Sequence, residues 1–199
     1  MSKEIIDTFY PQSRQEWRKW LLDNHDKKQS IWLIYYKKKS NIPTIIYSEA
    51  VDEALCFGWI DSKSKPLDDE RFMQFFCKRK ANSVWSKINK EKIERLTKEG
   101  LMTKAGFETV EKAKQNGSWT VLDEAEALII SKDLEKEFEK RPNAKTYFLG
   151  LSRSDKRNIL QWLTLAKRKE TREKRIIEIV ELAQQNLKPK QFRGQKNGI

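Results

Sequence analysis

The apolar period changes once along this chain, and that change limits the fold more than any other feature. Between residues 30 and 78 the apolar residues form strand-like runs, SIWLIYY and later RFMQFFC, whereas from Ser83 onward every apolar stripe has helical spacing. In the second run Phe72, Gln74 and Phe76 fall on one side and Met73, Phe75 and Cys77 on the other. An α+β fold follows: a small N-terminal helix and strand subdomain with a short antiparallel or mixed sheet, then a mainly α-helical C-terminal part. The expected division is 1–90 for the α+β subdomain and 91–187 for the helical one. Residues 188–199, KPKQFRGQKNGI, lack apolar periodicity and are expected to be a disordered basic tail.

Local signals place the elements. SRQEWRKWLLDNH opens with a capping box, Ser13 to Glu16, and puts Trp17, Trp20 and Leu21 on one face. The continuous apolarity of residues 30–36 predicts a strand buried on both faces. YSEAVDEALCFG predicts a helix with Ser48 as N-cap, Val51, Ala54 and Leu55 inward, and Gly58 at its end. WIDSKSKP and ERFMQFFCKR read as two strands joined by a Pro and Asp loop. Beyond them, helices are predicted to bury Val84, Ile88 and Leu96, to stop at Gly100 and Gly117, to open at Pro142, and to open again at a second box, Ser152 to Asp155. Ile159, Leu160, Leu163 and Ala166 should face inward there, as should Ile176, Ile177, Val180 and Ala183 in the last helix.

The residue inventory removes several chemistries. A single histidine, His25 in the turn DNHD, leaves imidazole triads and multi-histidine metal sites nothing to build from, and its expected setting is solvent. No GxxxxGK[ST], GxGxxG or CxxC occurs, and Cys56 and Cys77 sit in apolar surroundings as free thiols. No cofactor or metal is expected. The start MSKEIIDTFY has acidic residues and no apolar core of a leader, and no run is long enough to span a membrane, so a cytoplasmic protein is expected.

Charge points to anionic partners. The formal net charge is +12, and from residue 151 onward 13 Lys and Arg face 5 Asp and Glu. The run KRKETREKR, residues 167–175, could meet nucleic acid or an acidic membrane, although the interleaved Glu170 and Glu173 weaken it and a solvated helix junction is the plainer reading. Residues 59–89 are richer in chemistry. Trp59, Asp61 and Ser62 precede the acidic loop Asp68, Asp69, Glu70; Arg71 and Arg79 bracket an aromatic strand; Ser83, Trp85 and Asn89 follow. Guanidinium groups can hold a phosphate or carboxylate while an aromatic face stacks on a planar group. The same residues would also suit a strand core with a wet outer face. Asp61, among large apolar neighbours, is the one carboxylate placed to act as acid or base, with a turn or capping role as the plainer reading.

YSEAVDEALCFGWIDSKSKPLDDERF, FCKRKANSVWSKIN, GLMTKAGFETVEKAK and FLGLSRSDKRNILQWLTLAKRKETREKRIIEIVELA together resemble the YdeI/OmpD-associated group of bacterial proteins, many described as bacteriocin-protection proteins. The likeness runs from the Trp17 region to about Leu187. It implies a protection or stress role without an established reaction, and signature positions at Gly58, Trp59, Asp61, Ser62, Arg71, Arg79, Ser83, Trp85 and Asn89. Lys78 departs from the pattern, standing where relatives tend to have Pro, which returns a backbone donor to the strand. The expected function is thus a non-enzymatic protection-type protein that binds an anionic ligand or protein partner through 59–89. A nucleic-acid-binding protein using the basic C-terminal region and a small-molecule enzyme using Asp61 are the alternatives.

Overall fold

The computed structural model describes residues 7–193. The fold is α+β, and the chain divides into two compact units, the first ending at Trp119 and the second beginning at Thr120.

In the first unit the order is β1 (Thr8–Phe9), α1 (Arg14–Asn24), β2 (Ser30–Tyr36), α2 (Tyr47–Cys56), β3 (Trp59–Pro66), β4 (Arg71–Lys78), α3 (Lys87–Lys98) and α4 (Lys104–Gln115). The sheet is mixed and runs β1-β2-β4-β3, with β1 parallel to β2 and the other pairs antiparallel. Strand β1, only two residues long, gives no apolar period to read. Ser13 caps α1 as its spacing predicts, accepting from the Glu16 backbone N–H at 3.3 Å. Ser48 caps nothing: α2 begins at Tyr47, with Ile46 in the capping position.

Strand β2 differs from the expectation of burial on both faces. Ile31, Leu33 and Tyr35 are buried, while Ser30, Trp32, Ile34 and Tyr36 are half-buried. The inner residues meet Trp17, Leu21, Ala50, Val51, Ala54, Leu55, Cys56 and Phe57 in one core. His25, expected in solvent, is half-buried; its ring packs on Phe57 at 5.2 Å and its Nδ1 lies 2.9 Å from the Leu21 carbonyl. The donor at Lys78 is used: its backbone N–H donates to the Gln29 carbonyl at 3.0 Å, extending β4 by a bond that a proline would forbid.

The unit boundary lies at residue 119 rather than 90, because α3 and α4 complete the first core. Ile93, Leu96, Val110 and Ala113 join it, and α2 supplies the seat. A Cβ at Gly106 would run into the Cys56 carbonyl, so its absence lets α4 approach the end of α2. Gly58 turns the chain from α2 into β3 at φ +73°, in the left-handed region. Two buried carboxylates tie the helices: Glu53 accepts from Arg14 and Arg18 at 2.6 Å each, and Asp52 pairs with Lys92 at 2.5 Å and with Arg95. Ile88, expected inward, is 62 % exposed, since the buried stripe of α3 is Ile93 and Leu96.

The second unit is helical: α5 (Asp123–Glu126), α6 (Lys132–Glu139), α7 (Pro142–Gly150), α8 (Arg153–Thr164) and α9 (Lys169–Gln184). Ser152 caps α8 through the Asp155 N–H at 3.1 Å, and Pro142 opens α7. Ile159, Leu160 and Leu163 are buried as their spacing implies, while Ala166 lies past the helix end and is half-buried. On α9 Ile179 replaces Ile177 in the core, and Ile177 is exposed. Residues 188–193 are ordered, contrary to the expected tail: Lys188 bonds Asp155 at 3.1 Å, Lys190–Phe192 forms a 3-10 turn, and Phe192 packs edge-on to Trp162 at 5.9 Å. Residues 194–199 of that segment lie outside the described residues. Among the described residues no helix is long and apolar enough to cross a membrane.

Candidate functional site

The inner face of β3 and β4 turns polar where Asp61 pairs in register with Phe76, two positions from Gln74. Asp61 Oδ2 accepts from the Tyr47 hydroxyl at 2.7 Å and from Gln74 Nε2 at 3.0 Å. Burial and this carboxylate push the Tyr47 hydroxyl far above the ordinary tyrosine range, so it stays a donor. Asp61 lines a cavity of about 280 Å³ with Tyr47, Ser48, Ser86, Asn89 and Lys92. Ser86 caps α3, accepting from the Asn89 N–H at 3.3 Å, and the first turn of that helix thereby presents Asn89 to the cavity.

Arg79 follows the last residue of β4, its backbone N–H on the Gly58 carbonyl at 2.9 Å. Its guanidinium lies 3.6 Å over the Trp85 ring, and Nη2 donates to the Val84 carbonyl at 2.5 Å. Nε and Nη1 are buried without a hydrogen-bond partner. Burial lowers the guanidinium to about 10, with the Asp61 carboxylate pulling it back up. At neutral pH it is still a cation, and no ion pair neutralises it among the described residues. Trp85, itself buried, is backed by Trp119 at 4.9 Å.

The structure thus gathers Asp61 and Asn89 in one cavity; Arg79, which feels the Asp61 charge, stacks on Trp85, and neither of these two is among the residues lining it. It does not gather the rest. Trp59 is wholly buried, its indole N–H donating to the His25 carbonyl at 3.2 Å. Ser62 is exposed where the β3/β4 register shifts between Asp61 and Ser64. Ser83 serves a turn, donating from its backbone to the Lys80 carbonyl at 2.9 Å. Arg71 is spent on Asp68 at 2.6 Å and stands five residues along β4 from the partner of Asp61, roughly 17 Å away.

Tyr47, Gln74 and Lys92 are site residues that the sequence reading missed. Gln74 carried a signal, an amide inside the otherwise aromatic inner stripe of β4. Tyr47 and Lys92 carried none, because their role depends on how α2 and α3 pack. Among the described residues, no group of three His, Cys, Asp or Glu is placed to hold a metal ion. Within the basic run 167–175, Arg172 pairs with Asp133 at 2.5 Å and Arg175 lies 4.7 Å from the Trp162 ring centre, while Lys167, Arg168, Lys169 and Lys174 are exposed.

Comparison with known families divides the chain in the same way. Residues 9–109 match a family described as a domain of unknown function, DUF8412. The chain belongs to that family. Residues 127–186 match the family described as "Bacteriocin-protection, YdeI or OmpD-Associated", which supports the resemblance seen in the sequence. No curated protein and no solved structure matches the chain. The YdeI/OmpD-associated match therefore covers the helical unit, while Asp61, Arg79, Trp85 and Asn89 all lie within the DUF8412 match.

Proposed function

We propose that this is a non-enzymatic, protection-type bacterial protein whose DUF8412 domain binds a small anionic ligand beside Asp61, Arg79, Trp85 and Asn89. The observation that carries this is Arg79: a half-buried cation with two buried nitrogens lacking partners, stacked on a buried Trp, and with Asp61 as a nearby counter-charge. An unpaired buried charge is costly, and an arriving carboxylate or phosphate relieves that cost with charge-assisted hydrogen bonds. Asp61 and Asn89 supply the acceptor and amide that would orient such a ligand in the cavity they line. The Tyr47 and Gln74 bonds hold Asp61 as a fixed acceptor, which suits recognition better than proton transfer. The protective role follows the family matched by the helical unit, and the proposed place of action is the cytoplasm.

The test is a thermal-shift and calorimetric screen of anionic metabolites, with nucleic acids and anionic lipid vesicles as further classes, against the intact chain and Arg79→Gln. One anion class should bind the intact chain and lose at least ten-fold in affinity in the variant, with its circular dichroism unchanged. Absence of any class whose binding depends on Arg79 would sink the reading, whatever binds elsewhere on the chain. Cell fractionation checks the compartment.

A further inference from the structure

The sheet has a second face, and the Arg79 site does not use it. Ile31, Leu33 and Tyr35 point into the core, so Trp32, Ile34 and Tyr36 point away from it. Opposite them in register stand Phe75, Met73 and Arg71, and on the far side Lys65 pairs with Met73. Trp32, Ile34, Tyr36 and Phe75 pack in neither core of the molecule and are half-buried, while Met73 forms the floor between them.

Basic groups lie directly on these rings. Trp32 and Phe75 meet edge-on at 5.1 Å; Lys65 Nζ is 4.6 Å from the Trp32 centre, and Lys63 Nζ is 5.7 and 5.8 Å from Trp32 and Phe75. Arg71, although paired with Asp68, reaches to 5.9 Å from Tyr36. Among the described residues neither Lys63 nor Lys65 pairs with a carboxylate. A cation parked on an indole is weakly held and mobile, so it can leave the ring for a phosphate while the ring accepts a base.

We infer that this outer face is a binding platform for single-stranded nucleic acid. Trp32 with Phe75 forms one stacking station and Tyr36 a second, four residues and about 13 Å along β2, with Lys63 and Lys65 for the backbone. Bases in a duplex already stack on each other and hide their faces, so the platform prefers single strands. The net charge of +12 draws in any polyanion, and the rings select among them. This site is independent of Arg79 and of the Asp61 cavity, and its variants leave both intact.

Fluorescence anisotropy with labelled oligo(dT), oligo(rU) and a duplex of equal length decides it. Both single strands should bind at low salt and the duplex at least ten-fold more weakly; a preference between the two would say whether DNA or RNA is the natural form. Lys63→Gln with Lys65→Gln should weaken binding at least ten-fold and make the slope of log K against log salt shallower by about 1.4, the value for two phosphate contacts on a single strand. Trp32→Leu should weaken binding roughly ten-fold without altering that slope. Absence of binding at low salt, equal binding of the duplex, or binding untouched by these variants would each overturn the inference. So would Trp32 responding to anionic vesicles and not to oligonucleotides.

Discussion

The guanidinium of Arg79 lies 3.6 Å above the ring of Trp85, and the same guanidinium keeps two buried nitrogens unpaired. Packing and charge thus pull in opposite directions at one residue. Replacing Trp85 by Ala should cost about 3 to 5 kcal/mol, because a large buried ring leaves a cavity against Trp119. Arg79→Met keeps much of the volume and removes an uncompensated cation, so its cost should stay within about 1 kcal/mol. Urea denaturation of both variants checks this. Equal losses would mean that Arg79 is held for the fold alone.

Two glycines in helices should respond to alanine with opposite sign. A methyl at Gly106 meets the Cys56 carbonyl, a backbone group that cannot swing aside, so Gly106→Ala should destabilise by about 1 to 3 kcal/mol. Gly150, at the end of α7, has open space around it, and Gly150→Ala should be neutral or stabilise by up to about 1 kcal/mol. Thermal melts of the two variants side by side make the comparison.

Acid should loosen the helical unit through Asp133. Hydrogen bonds from Arg172 hold its carboxyl well below the usual value of 3.8, against a smaller opposing effect of burial. A depressed folded value means the stabilisation is fully present above about pH 4 and is lost as pH falls through the folded value. Asp133→Asn should flatten the decline of melting temperature between about pH 4 and pH 2. An unchanged acid limb would assign the loss to other carboxylates.

The two thiols should separate under a disulfide reagent. Cys56 is wholly buried and burial pushes its thiol up to about 11, whereas Cys77 is half-buried and shifted upward as well. Native protein at about pH 8 should therefore label slowly and at Cys77 first, with Cys56 reacting only in urea. Mass spectrometry of the labelled peptides reads the order. Early labelling of Cys56 would show that the α2 to α4 contact opens readily.

Features that depend on a few neighbouring residues are legible in the sequence. Ser13 and Ser152 cap their helices because a hydroxyl reaches an N–H three residues on, whatever else the chain does. The alternation of Phe72, Gln74 and Phe76 against Met73, Phe75 and Cys77 likewise survives, since successive strand residues must face opposite ways. Where two faces were both apolar, the choice failed: Ile88 and Ile177 sit on helices at plausible inward positions, yet Ile93 and Ile179 are buried nearby.

By itself, then, the sequence determined the α+β class, the order of most elements, the caps at Ser13 and Ser152 and the aromatic character of residues 59–89. Tertiary structure alone decided that α3 and α4 belong with the sheet, that Phe192 docks on Trp162, and that Arg71 stands far from Asp61 while Tyr47 touches it. The reason is physical. Period and capping are set within a few residues of chain, whereas burial and pairing are set by which distant surface arrives to exclude water.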